Sequence, residues 1–132
     1  MKIYVATAFG AKHRVHEFLA KVRERIPGAE LSCDWTTLDE ADGAREIAER
    51  ERAGIADATV LVVLLPGGLG THAELGMAIM ACTPVVLVGA ALATHDPGTM
   101  WPRCIQYAHP RVRCAWTEAD AVKMLELGIY EP

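Results

Sequence analysis

Apolar runs alternate with amphipathic ones along this chain. Ile3 to Ala8 is a short branched run that ends at Gly10, as a buried first strand would. Residues 11–26 then place Val15, Phe18, Leu19, Val22 and Ile26 at helical spacing, and Pro27-Gly28 stops that helix. Ala29 to Trp35 has the composition of a second strand. Residues 41–56 are charged and helical in character, with Ile47 and Ile55 as their main apolar marks. Thr59 to Leu65 is apolar almost throughout, which fits a strand covered on both faces. A helix is expected over about 72–82, ended by Thr83-Pro84, and Val85 to Val88 forms a fourth strand. Residues 89–110, rich in Gly, Ala, Pro and His, predict a long loop region with room for one short helix. Val112 to Trp116 is the fifth strand, and Thr117 is the N-cap of a last helix over 118–127, with Glu118 and Asp120 in its first turn.

Strands that alternate with helices imply a parallel sheet covered on both sides. The expected architecture is therefore one α/β domain over 1–132, three-layered and flavodoxin-like or Rossmann-like, with a five-stranded, mainly parallel sheet. Ligands of such sheets bind beyond the carboxyl ends of the strands, where the strand order reverses. That rule selects A-T-A-F-G (6–10) after the first strand and P-G-G-L-G-T-H-A-E (66–74) after the third.

Bulk properties narrow the function classes. At 132 residues, 52% hydrophobic and 23% charged, the chain has the composition of a compact globular domain rather than a disordered one. A formal charge of −4 gives no electrostatic reason to expect a nucleic-acid polymer as partner, and Arg103, Arg111 and Arg113 are too thin a basic group to change that. The opening M-K-I-Y-V-A-T-A-F-G is too quickly polar for a signal peptide, and no run approaches ~18 apolar residues, so no membrane partner and a cytoplasmic location are expected. Cys33, Cys82, Cys104 and Cys114 share no C-x-x-C spacing, which favours reduced, packed thiols over a disulfide framework or a zinc site. No metal and no cofactor are expected.

The candidate chemistry lies in residues 66–76, P-G-G-L-G-T-H-A-E-L-G. Gly67, Gly68 and Gly70 let the backbone turn sharply and let a ligand come close to it. The helix start behind them offers unpaired N–H groups and a positive dipole end, suited to a phosphate or a carboxylate. Thr71 and Glu74 form the T-x-x-E of a capping box, which by itself accounts for the glutamate. The other reading places Glu74 in the first helical turn at the cleft edge, kept ionised by the dipole and available for nucleophilic chemistry. The stretch is neither a Walker loop, since no G-K-[ST] follows, nor the G-x-G-x-x-G dinucleotide fingerprint. H-A-E (72–74) imitates the start of the zinc deaminase signature, but the P-C-x-x-C that supplies the other ligands is missing.

I-Y-V-A-T-A-F (3–9), E-R-A-G-I-A-D-A-T-V-L-V (51–62) and G-T-H-A-E-L-G-M-A (70–78) together resemble the nucleoside 2-deoxyribosyltransferase family and its nucleotide N-glycosidase relatives. The resemblance covers about 90 residues and is loose beyond residue 89. It implies that Glu74 is the nucleophile and that Glu51, where the family usually has aspartate, contacts the base; the two-carboxyl logic of retaining glycosidases would make Glu51 the acid that protonates it. Tyr4 matches the tyrosine of the family's opening motif and could tune Glu74. Phe9 matches an aromatic that lines the base pocket. Ala6, Gly67, Gly68, Gly70, Thr71 and His72 complete the expected substrate contacts. One departure is Gly68, where the family has an aspartate or serine for the sugar or 5′-phosphate, so backbone N–H groups, Thr71 or His72 must serve instead.

P-G-G-L-G-T-x-x-E also resembles the loop of lysine-decarboxylase-like phosphoribohydrolases that release cytokinin bases from nucleotides. Both resemblances imply cleavage of an N-glycosidic bond in a small nucleoside or nucleotide, with transfer to another base or to water. A non-catalytic nucleotide-sensing domain is the alternative from another class. Trp35 could stack on a base, Asp57 could be an acid or cap the turn into the third strand, and Lys12 and Arg14 could hold a 5′-phosphate. His13, His16, His95 and His109 show no ligand spacing. Met100-Trp101 could cover the pocket or meet a neighbouring subunit, and the family resemblance implies a homo-oligomer.

Overall fold

The computed structural model of the chain describes residues 1–89 and 104–131. Five parallel strands form one sheet in the order β2-β1-β3-β4-β5, where β1 is Lys2–Ala6, β2 Glu30–Leu31, β3 Val60–Leu64, β4 Val85–Val88 and β5 Val112–Ala115. This is the flavodoxin-like order, in which the chain reverses direction across the sheet between β1 and β3. Among the described residues α1 (His13–Arg25) joins β1 to β2, α2 (Ala44–Asp57) joins β2 to β3, α3 (Leu69–Met80) joins β3 to β4, and α4 (Glu118–Leu127) follows β5. α1 packs against α4 on one face and α2 against α3 on the other.

The core follows from the pattern. Every residue of β3 and β4 is buried, as strands covered on both faces must be. α1 buries Val15, Phe18, Leu19 and Val22, a stripe at i, i+3, i+4 and i+7. Thr117 caps α4 as expected: its hydroxyl accepts from the Asp120 N–H at 3.1 Å, and Asp120 accepts from the Thr117 N–H at 3.0 Å. Gly128 closes that helix in the left-handed region at φ 69°.

Three expectations are corrected. The second strand is two residues long rather than spanning 29–35, because Asp34 accepts from the Thr36 N–H and turns the chain into a 3-10 helix at Trp35–Thr37. α3 starts at Leu69, three residues before the expected boundary, with Gly68 as its N-cap. The four thiols are free, and Cys33 and Cys104 are half-buried and pack against the core, but Cys82 and Cys114 are exposed, so the packed setting holds for only two of them. A 3-10 turn at Ile105–Ala108 lies within the expected loop region. The expectations for His95, Met100-Trp101 and Arg103 lie outside the described residues. Among the described residues no helix is long and apolar enough to cross a membrane.

Candidate active site

The carboxyl ends of β1 and β3 meet where the strand order reverses. β1 delivers Tyr4 toward α2 and α3, and the chain beyond it carries Thr7 and Phe9. β3 ends at Leu64, followed by a cis Leu65–Pro66 bond and the glycine turn into α3. A pocket of about 170 Å³ lies there, lined by Thr7, Phe9, Trp35, Glu51, Gly68, Leu69, Gly70, Thr71 and Glu74. It continues along Phe9, Trp35 and Glu51 into a cleft of about 390 Å³ walled by Leu38, Asp39, Glu40, Ala44 and Ile47.

Glu74 does not cap its helix. It is the sixth residue of α3 and is buried, and its Oε1 accepts a 2.6 Å hydrogen bond from the Tyr4 hydroxyl on the central strand. The cap is made backwards: Thr71 Oγ1 accepts from the Gly68 N–H at 3.1 Å. Gly67 has no room for a side chain, because a Cβ there would lie 2.6 Å from the Thr71 methyl.

Burial, more than anything else, sets the electrostatics of Glu74. Desolvation pushes its carboxyl up to about 7, the Tyr4 hydrogen bond pulls it down, and the charge of Glu51 adds to the rise. The expected dipole-ionised carboxylate of a first turn is thus replaced by a group that gains and loses its proton near neutrality. Tyr4 is pushed well above the ordinary phenol range, first by burial and then by the charge of Glu74, so it stays a donor. Glu51, half-buried on α2, is also raised, by desolvation. Two carboxyls with raised proton affinity therefore face one pocket.

Tyr4→Phe removes the hydrogen bond that favours the ionised glutamate. A bond from a neutral donor to a charged acceptor is worth about 1.5–3 kcal/mol, so Glu74 should titrate about one to two pH units higher in the variant. Carboxyl carbon shifts of glutamate-labelled protein measure this directly.

The remaining expected residues divide. Phe9, Gly68, Gly70, Thr71, Glu51 and Glu74 line the pocket together, and Tyr4 joins them through its hydroxyl. Ala6 is fully buried in β1 and Gly67 packs under Thr71. His72 turns both ring nitrogens elsewhere, to the Gly68 carbonyl and to Tyr107. Trp35 is buried, donates from Nε1 to the Val5 carbonyl at 2.7 Å, and stands 6.4 Å from the Phe9 ring. Lys12 sits 4.1 Å over the Phe9 ring and donates to the carbonyls of Thr36 and Leu38, so it braces this aromatic wall. Arg14 is committed to the Leu65 carbonyl and to Glu118, which corrects its expected phosphate role. Burial pushes the Glu118 carboxyl up, but Lys21 and Arg14 together outweigh it and hold that group low. Asp57 pairs with Lys2 at 2.7 Å on the surface, away from the pocket.

Sequence reasoning missed Thr7, Leu69 and the Leu38–Ile47 wall. Thr7 is buried with its hydroxyl on the Leu64 carbonyl, and its only sequence signal was its place just after β1. Leu69 is 94% exposed at the pocket mouth, an apolar side chain with no packing role among the described residues. Among the described residues no three of His, Cys, Asp and Glu are grouped as metal ligands.

With this geometry established, known proteins offer a comparison. No family model matches the chain, and no curated protein matches it significantly in sequence. Among solved structures it is similar to the CMP N-glycosidase BcmB of Clostridium botulinum, with a TM-score of 0.60 over 97% of this chain and 99% of that one. Identity is 15%. The likeness is one of fold.

Proposed function

We propose that this chain cleaves the N-glycosidic bond of a nucleoside or its 5′-monophosphate, with Glu74 as nucleophile and Glu51 as the acid for the departing base. The single observation that carries the reading is the buried Tyr4–Glu74 pair at the strand-order reversal, with Glu51 on the same pocket. The described activity of the structural neighbour, CMP N-glycosidase, supports the same reaction class.

Breaking the bond between C1′ and a base nitrogen develops positive charge on the sugar and negative charge on the base. The sugar needs a carboxylate beneath C1′, and the base needs a proton. In the proposed first step ionised Glu74 bonds to C1′ while the C1′–N electron pair leaves with the base, which takes the proton of Glu51. The second step begins with a water whose proton goes to Glu51. Its oxygen then bonds to C1′ and returns the electron pair to Glu74. A second base in place of water would give a new nucleoside. The first-turn N–H groups of Leu69 and Gly70 have no intrahelical acceptor and would hold the sugar or its 5′-phosphate, standing in for the side chain that Gly68 lacks. Phe9 and Trp35 form the wall on which the base would lie.

The test is a panel of deoxynucleosides, ribonucleosides and their 5′-monophosphates, followed by chromatography for free base. Release from at least one member is expected. Because Glu74 must be ionised and Glu51 protonated in the same molecule, kcat/KM should fall on both sides of a maximum, with one limb near 7, the value to which burial moves the Glu74 carboxyl. Silence across the panel removes the enzymatic reading and leaves the sensing domain. Adding a second free base separates transfer from hydrolysis.

A further inference from the structure

His72 has a bonding pattern that substrate contact does not explain. Its Nδ1 is 2.7 Å from the Gly68 carbonyl and its Nε2 is 2.7 Å from the Tyr107 hydroxyl, with the two rings 5.8 Å apart. A carbonyl only accepts, so Nδ1 must carry a proton. In the neutral ring Nε2 is then the acceptor, and a tyrosine hydroxyl can donate to it. Gly68 is thereby held at both ends, its N–H by Thr71 Oγ1 and its carbonyl by the imidazole, in addition to the His72 backbone N–H at 3.3 Å. Gly68, Leu69 and Gly70 all line the pocket that holds Glu74. A glycine peptide without this clamp has more backbone freedom than any other.

We infer that His72 is a positioning residue: held as the Nδ1–H tautomer between Gly68 and Tyr107, it fixes the Gly68 carbonyl and with it the first-turn N–H groups of Leu69 and Gly70. The consequence for substrate rests on the proposed function, since only there do those N–H groups hold a sugar or phosphate. The clamp itself does not rest on it.

Two substitutions separate the two ring nitrogens. Asparagine places an amide N–H near the position of Nδ1, and glutamine places one near Nε2. His72→Asn keeps the bond to Gly68, whereas His72→Gln keeps only the reach toward Tyr107. Nitrogen NMR of the wild-type ring should show a protonated Nδ1 and a bare Nε2. The amide resonances of Leu69 and Gly70 should stay near their wild-type positions in His72→Asn and move in His72→Gln. With a substrate identified from the panel, KM should rise at least about tenfold in His72→Gln and less than about threefold in His72→Asn, with kcat little changed in either. Thermal melts of the two variants should agree, which a purely structural role would not require.

A ring protonated on Nε2 alone, or equal behaviour of the two variants in the amide spectra, overturns the inference. A wild-type protein inactive on every substrate removes the functional reading instead. In that case the tautomer and amide measurements still decide the role of His72.

Discussion

Glu74→Gln is expected to abolish base release while making the protein more stable at alkaline pH. Loss of a nucleophile should lower kcat by about a thousandfold or more, since neither Tyr4 nor Glu51 can form the bond to C1′. The fold should survive, because the glutamine oxygen can still accept from the Tyr4 hydroxyl.

The stability change has a definite sign. The folded protein raises this carboxyl from an ordinary 4.5 to about 7. Below pH 4.5 the group is protonated in both states and contributes no penalty. Between pH 4.5 and 7 the unfolded chain has ionised the group while the folded protein still holds its proton, so stability falls across that window and levels off above 7. The full penalty is on the order of 3 kcal/mol above pH 7. The variant should therefore melt together with wild type near pH 4 and up to roughly 10 °C higher at pH 8. Parallel melting curves of the two proteins across that range would show the carboxyl to be unstrained, and the catalytic argument would lose its electrostatic basis.

The second large effect is expected at Gly54, on the inner side of α2. A Cβ there would stand 2.4 Å from the Cβ of Cys33 and 3.4 Å from two carbons of the Tyr4 ring. The Cys33 atom is fixed to the backbone and cannot rotate away, so α2 or the Cys33 segment must move. Overpacking of this kind costs about 1–3 kcal/mol, and the better helix propensity of alanine returns about 1 kcal/mol. Because the first contact is far inside van der Waals distance, Gly54→Ala should lose about 2 kcal/mol in urea denaturation. The same shift should displace Tyr4 from Glu74 and lower kcat/KM at pH 7 about tenfold. Cys33→Gly in the same chain removes the obstructing atom and should restore part of both losses. A double variant no better than Gly54→Ala would place the obstruction elsewhere.

These two residues also show where the sequence was legible. β3, β4 and α4 could be read closely, because uninterrupted apolar runs and a complete cap signal leave few alternatives. β2 could not, since a two-residue edge strand has no period and a single Asp34 contact ends it. The T-x-x-E spacing of Thr71 and Glu74 misled for a specific reason. It fits a cap at Thr71, but Thr71 itself serves the Gly68 N–H three residues earlier. Starting α3 at Leu69 carries Glu74 from the rim of the helix into its buried side, opposite Tyr4. The pocket wall from Leu38 to Ile47 was invisible because nothing in its composition marks it, and only the folding of two 3-10 turns brings it beside Phe9.

The sheet divides the molecule into two unequal halves. Tyr4, Glu51, Glu74 and the glycine turn belong to β1, α2 and α3, whereas α1 and α4 meet each other on the far side through Arg14, Lys21 and Glu118. All three segments that carry the resemblance, 3–9, 51–62 and 70–78, fall on the first half or on the strands beneath it. The far half answers only to packing, for which many side chains of suitable size and charge are interchangeable. Volume-conserving changes between α1 and α4 should therefore leave the geometry of the pocket intact.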